Sequence, residues 1–137
     1  MTYKEIAQKL VELFSSREGL EFEWMIGLPK GFKSYPSGWV SFVRKEGGGE
    51  ASTSGYLYEL VYEVGVADRS VDEGEAEESV YEKVELIEEA VDSNPSLDGL
   101  VEELPTPKKV YIEPYKEGRD YAVTVGRVIF TFKKWMK

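Results

Sequence analysis

Twelve residues from Tyr56 to Ala67 alternate without a break. Tyr56, Tyr58, Leu60, Tyr62, Val64 and Val66 fall on one side, and Leu57, Glu59, Val61, Glu63, Gly65 and Ala67 on the other. Period-two alternation of aromatic and β-branched side chains makes a β-strand, and this one is long enough to cross an entire sheet and extend beyond it. The rest of the chain is what pairs with this strand and covers it.

Upstream, Thr2 and Glu5 have capping-box spacing, and Ile6, Leu10, Leu13 and Phe14 recur at three- and four-residue steps. They predict an amphipathic helix over about residues 3 to 16. Gly19 releases the chain, and Phe22, Trp24 and Ile26 then alternate with Glu21, Glu23 and Met25 as a half-buried strand. Residues 27 to 38 hold three Gly and two Pro and read as a loop, after which WVSFVRK resumes strand character. Residues 46 to 55, EGGGEASTSG, offer too little apolar surface to pack and are expected to form a flexible arm between two strands.

Beyond the long strand, Asp72 with Glu75 caps a second helix whose apolar stripe is Ala76, Val80, Val84, Ile87 and Val91. DSNPSLDG turns the chain out of it, and Pro-Thr-Pro at 105 to 107 breaks it again. KKVYIEPY and DYAVTVGRVIFTFKKW are closing strands joined by KEGR, with a bulge expected at Gly126-Arg127. The order α-β-β-β-α-β-β specifies an α+β fold, a single domain over 1–137 with an antiparallel-rich mixed sheet and two main helices packed on one face.

Composition narrows the chemistry. The chain has 137 residues, 42% of them hydrophobic, and contains neither Cys nor His. Disulfides, thiolate and imidazole metal sites and histidine-based catalysis are thereby excluded. A net charge of -9 argues against bulk attraction to phosphate backbones or anionic membranes. No apolar run approaches the roughly 20 residues that span a bilayer, and the charged start MTYKEIAQKL is unlike a signal peptide, so a cytoplasmic location is expected. Glu and Lys dominate the charged set while Gln8 and Asn94 are the sole side-chain amides, a bias found in thermophile proteins.

Four motifs suggest chemistry, and each has a plainer reading. Gly27 to Ser34 resembles a phosphate-binding loop, but three residues instead of four separate Gly27 from Gly31, and Phe32 precedes Lys33, so a surface loop is expected. Asp92, Asn94, Ser96, Asp98 and Glu103 occupy calcium-loop positions, but Leu97 stands where that loop turns on glycine. A helix-terminating turn with Leu97 and Leu100 in the core is the expectation. The glutamates of the second helix alternate with its buried stripe, which makes a solvated face and not a catalytic pair. Trp24, Trp39, Trp135 and the tyrosines read as core and sheet-face residues, with Trp39 the exception, placed between two loops where a partner reaches it. The chain is therefore expected to be no enzyme and to need no cofactor or metal.

Charge is unevenly placed. Residues 1 to 71 carry 8 basic and 10 acidic side chains, 72 to 103 carry 1 and 13, and 104 to 137 carry 8 and 3, giving -2, -12 and +5. An acidic and a basic segment allow copies to meet head to tail, and such a contact closes into a ring when its rotation divides the circle. The candidate interface residues are Trp39, Gly47, Gly48, Gly49, Glu85, Glu88, Glu89, Lys133 and Lys134.

The N-terminal helix, the strand pair with its arm at Gly47 to Ser54, YLYELVYEVGVADRS running into a helix, the Ser96-Leu97-Asp98-Gly99 turn and the final VYIEPY and YAVTVGRVIFTF strands together resemble the tail terminator proteins of long-tailed phages. These are also called minor tail or tail completion proteins. Asp98 departs from the Leu-Gly-Gly character that the family's turn often has. The resemblance implies a structural virion protein that forms a ring, typically a hexamer, capping the tail tube and meeting the head connector protein, while DNA passes without specific binding. It implies a cytoplasmic location during assembly and a place in the tail of a virion or virus-like particle afterwards. A different class fits the same charges: an acidic DNA mimic or other protein-binding module that occupies a basic partner. A small-ligand enzyme using Glu, Lys, Tyr or Ser is the third reading, with no constellation to support it.

Overall fold

The computed structural model describes residues 2–53, 55–103, 108–116 and 121–137. The elements are α1 (Thr2–Ser15), β1 (Glu23–Ile26), β2 (Ser37–Ser52), β3 (Gly55–Ser70), α2 (Glu73–Asp92), β4 (Lys109–Lys116) and β5 (Ala122–Met136). The strands form one sheet in the order β1-β2-β3-β5-β4, with β1 parallel to β2 and every other pair antiparallel. This is the α+β order expected. The Pro-Thr-Pro break and most of the KEGR connection lie outside the described residues.

β3 is the central strand, paired along its length with β2 on one edge and β5 on the other. Its alternation decides the layering. Leu60, Tyr62, Val64 and Val66 face the helices and are buried with Val40 of β2 and Val128, Phe130 and Phe132 of β5. α1 contributes Ile6, Leu10 and Phe14 to that core, and α2 contributes Val80, Val84, Ile87 and Val91. Two polar groups at the core find partners in the backbone: Oη of the buried Tyr62 donates to the Tyr3 carbonyl at 2.8 Å, and Nε1 of the half-buried Trp24 to the Leu20 carbonyl at 2.9 Å.

Asp72 is the N-cap of α2, its carboxylate accepting from Gly74 N at 2.7 Å and Glu75 N at 3.2 Å. At the other end Leu97 and Asp98 adopt left-handed backbone conformations, φ 49° and 57°, and turn the chain back so that Leu97 is buried.

One expectation is corrected. No bulge occurs at Gly126-Arg127, because β5 keeps register with both β3 and β4 through those residues. Gly126 is instead where α2 lies closest to the sheet: a Cβ there would stand 2.7 Å from both Val80 Cγ1 and Val84 Cγ2. The arm expected at 46–55 lies at the β2–β3 hairpin. β2 continues into it as far as Ser52, with Glu46 opposite Glu59, Gly47 opposite Tyr58, Glu50 opposite Leu57 and Ala51 opposite Tyr56, and with a register shift between Gly47 and Glu50. Tyr56, Leu57 and Tyr58 are strong strand formers already held by Met136, Trp135 and Lys134 of β5, so they template the glycine-rich strand beside them.

Gly65 on the opposite face supports Trp39, since a Cβ there would lie 2.0 Å from the indole ring. Gly65→Ala is therefore expected to destabilise the fold by about 1–3 kcal/mol and to change the tryptophan emission, as overpacking does. Gly31→Ala, which meets nothing within 4 Å, should change stability by less than about 0.5 kcal/mol. Urea unfolding followed by fluorescence measures both.

Candidate interaction surface

With both helices on one face, the second face of the sheet is covered at one end by the loop 27–36. The Phe32 ring of that loop packs tilted against Trp39 at 5.6 Å, and Tyr35 lies 5.5 Å from Phe32. Beneath them Trp39, Ala67 and Val123 form a small second core. Trp39 is only 3% exposed, and its Nε1 donates to Glu63 Oε2 at 2.9 Å. It is thus a buried anchor and not the accessible partner contact expected of it. The loop that reads as plain surface is what buries it.

From Glu63 a polar chain crosses the bare part of this face. Arg127 approaches Glu63 Oε1 at 3.5 Å and donates to Glu113 Oε1 at 3.0 Å, while its guanidinium lies 5.3 Å from the Tyr111 ring centre. Arg44 pairs with Glu46, and Lys133 stands opposite Glu59 in the ladder. Arg69 is flanked by the rings of Tyr35 at 4.9 Å and Tyr121 at 4.7 Å.

These contacts change the meaning of the basic C-terminal third. Arg127 is held by carboxylates of β3 and β4, Lys108 pairs with Asp92, and Lys134 donates to the Leu100 carbonyl. Lys133 and Lys134 lie on opposite faces of β5, so they do not form one patch. Of the basic side chains in this third, Arg127 and Lys108 thus have carboxylate partners within the chain, and Lys134 is held by a carbonyl.

The acidic helix is balanced only in part. Arg17 donates to Glu89 at 3.0 Å, so this candidate residue already has an internal partner. Lys83, which contacts Ser79 and Asp68, ties α2 to β3. Glu73, Glu78, Glu82, Glu85 and Glu88 have no cationic partner among the described residues. Glu85 is exposed and Glu88 half-buried. Tyr81 stands among them, 44% exposed, its hydroxyl donating to Glu77 at 2.7 Å. Gly47 is exposed, and Gly48 and Gly49 lie where the hairpin register shifts.

A feature the sequence does not announce lies at the β1 edge. Met25, Leu28, Lys30, Gly31, Phe32 and Lys33 line an open depression of about 650 Å³. Met25 is 41% and Leu28 67% exposed there, and neither lysine has a partner among the described residues. The nearest signal in the sequence is the Leu-Pro-Lys and Phe-Lys pairing of apolar with basic residues inside a Gly/Pro loop.

The would-be calcium ligands diverge. Asp92 turns to Lys108, and Asp98 to Lys9 and Asn94. Among the described residues no three of His, Cys, Asp and Glu stand together as a metal-holding group, and no helix is long and apolar enough to cross a membrane. No family model matches the chain, and no curated protein matches it.

The hydrogen bond from Lys9 holds the Asp98 carboxyl below its usual 3.8, helped by Asn94 and by the Lys9 charge; the same contact raises Lys9 above 10.5. The contribution to stability is therefore present above the ordinary Asp range and is lost as pH falls through the depressed value. At the alkaline end it is lost as pH rises through the raised Lys9 value. Asp98→Asn, which tolerates the left-handed backbone, should be less stable than the parent at about pH 7. That difference should shrink as pH falls below about 4, as urea melts across the acid range will show.

Proposed function

We propose that this chain is a structural assembly protein of the tail-terminator kind, a subunit that joins copies of itself into a ring on the end of a tail tube. The observation that carries the reading is the two-sidedness of the molecule. One side is an acidic helix surface on which Glu73, Glu78, Glu82, Glu85 and Glu88 have no cationic partner among the described residues, and the other is a sheet face where Arg127 is paired with Glu63 and Glu113 and whose β1 edge is apolar and basic. Surfaces that differ so strongly cannot form a symmetric, self-complementary contact between α2 faces, because like charges would meet. They favour a head-to-tail contact, which closes into a ring when its rotation divides the circle. The element order that carries the resemblance, α-β-β-β-α-β-β, is also that of the folded chain.

In this reading the chain catalyses nothing. Its partners are further copies, the tube protein and the head connector, and acidic side chains facing a lumen let DNA slide past. One observation favours a second reading. Glu78, Glu82, Glu85 and Glu89 lie three and four residues apart, so a row of carboxylates repeats about every 5–6 Å along one helix and suits a basic nucleic-acid-binding site on another protein.

The test is sedimentation velocity over a wide concentration range, with negative-stain images and with tail tubes added. The parent chain should form closed rings or cap tubes, loosening at high salt. Glu82→Lys with Glu85→Lys should weaken association about tenfold or more while changing monomer stability by less than about 0.5 kcal/mol. A parent chain that remains monomeric and ignores tubes, yet binds a basic protein through α2, would establish the second reading instead.

A further inference from the structure

The depression at the β1 edge and the exposed face of α2 have opposite chemistry, and they lie on opposite sides of the sheet. The depression has an apolar wall of Met25, Leu28 and Phe32 with Lys30 and Lys33 at its lip, and no carboxylate among its lining residues. The nearby Glu23 accepts from Ser34 Oγ at 3.2 Å. The outer face of α2 presents the reverse pattern, an exposed aromatic ring, Tyr81, among Glu77, Glu78, Glu82 and Glu85. Positions 77, 78 and 85 are the helical neighbours of 81 at three- and four-residue steps, so the tyrosine rises from a collar of carboxylates.

Resting on the ring reading above, we propose that the β1-edge depression is the socket for Tyr81 of a second copy, with Lys30 and Lys33 pairing with the glutamates around that tyrosine. A volume of about 650 Å³ is within the range of clefts that enclose ligand-sized groups. Tyrosine is a residue type enriched among interface anchors, because it offers a large rigid area with one polar end. Charge complementarity selects the occupant. Among the described residues the two lysines have no ionic partner, nor do Glu78, Glu82 and Glu85. Because socket and tyrosine lie on opposite faces, one copy cannot fill its own socket. The contact is heterologous and leaves a free socket and a free tyrosine at the ends of every open chain of subunits.

The experiment uses sedimentation velocity on the full chain and three variants: Lys30→Glu with Lys33→Glu, Glu78→Lys with Glu82→Lys, and Tyr81→Ala. All the altered side chains are exposed, and circular dichroism checks that each variant folds. Each variant alone should associate about tenfold or more weakly than the parent. The two charge-reversed variants mixed in equal amounts should recover association, because every socket then meets a collar of opposite sign. A parent that forms rings unaffected by any variant would overturn the socket and leave the ring reading standing. Loss of association in the lysine variant, with no loss in the Tyr81 or glutamate variants, would overturn Tyr81 as the occupant. A parent that is monomeric throughout would overturn the ring reading and this contact together.

Discussion

Val80 and Val84 press against the sheet at Gly126, and on the other face the Trp39 indole lies over Gly65. Both glycines belong to interior strands of the sheet, β3 and β5, where any side chain would hold the covering layer away. The close approach of α2 brings Ile87 and Val91 down onto Leu97, Val128 and Phe130 in one contiguous core. The close approach of Trp39 gives the loop 27–36 something to fold onto through Phe32. Helix layer and loop cover thus depend on the same device, the absence of a Cβ at a strand position. The depression at the β1 edge exists because that cover ends at Phe32 and leaves Met25 and Leu28 beside it.

How much of this could be read from the sequence follows from where the information lies. The two helices and the long strand are legible because periodicity is local, and Asp72 marks its helix start by a cap that needs only its neighbours. Gly126 is different. A glycine in a strand marks either a bulge or a close approach, and nothing in VTVGRV distinguishes the two; the answer lies in Val80 and Val84, more than forty positions away in the sequence. Trp39 misleads for a related reason, since its burial depends on Gly65 and Phe32, neither of which is adjacent to it. The glycine-rich arm shows the limit of composition. Its residues are poor strand formers, but strand pairing is a property of two chains side by side, and β3 is firmly held by β5 on its far edge.

Charge was the least legible part of the candidate surface. A linear count separates an acidic segment from a basic one, and in the fold several of those charges meet each other: Lys108 with Asp92 joins the two segments directly, and Arg127 joins Glu63 and Glu113 across three strands. Exposed pairs of this kind contribute little stability, with a median of about 0–1 kcal/mol each. Their consequence is electrostatic instead. They take Arg127 and Lys108 of the basic C-terminal third into pairs within the chain, while Glu73, Glu78, Glu82, Glu85 and Glu88 of α2, and Lys30 and Lys33 of the loop, have no ionic partner among the described residues.

A contact of that composition has a definite physical character. Rim charges steer encounter and fix orientation, while the apolar wall and an aromatic anchor supply most of the binding free energy. One such contact is small, and a small contact between free subunits is weak because association costs translational and rotational freedom. In a closed ring the last subunit makes two contacts for a single loss of that freedom, so closure stabilises what a lone pair would not. A preformed template, such as the end of a tube, lowers the same cost further by holding subunits at high local concentration. Weak pairwise contact is therefore compatible with a ring that assembles where it is needed and stays dispersed elsewhere, and the acidic surface of α2 works in the same direction by repelling copies that approach in any other orientation.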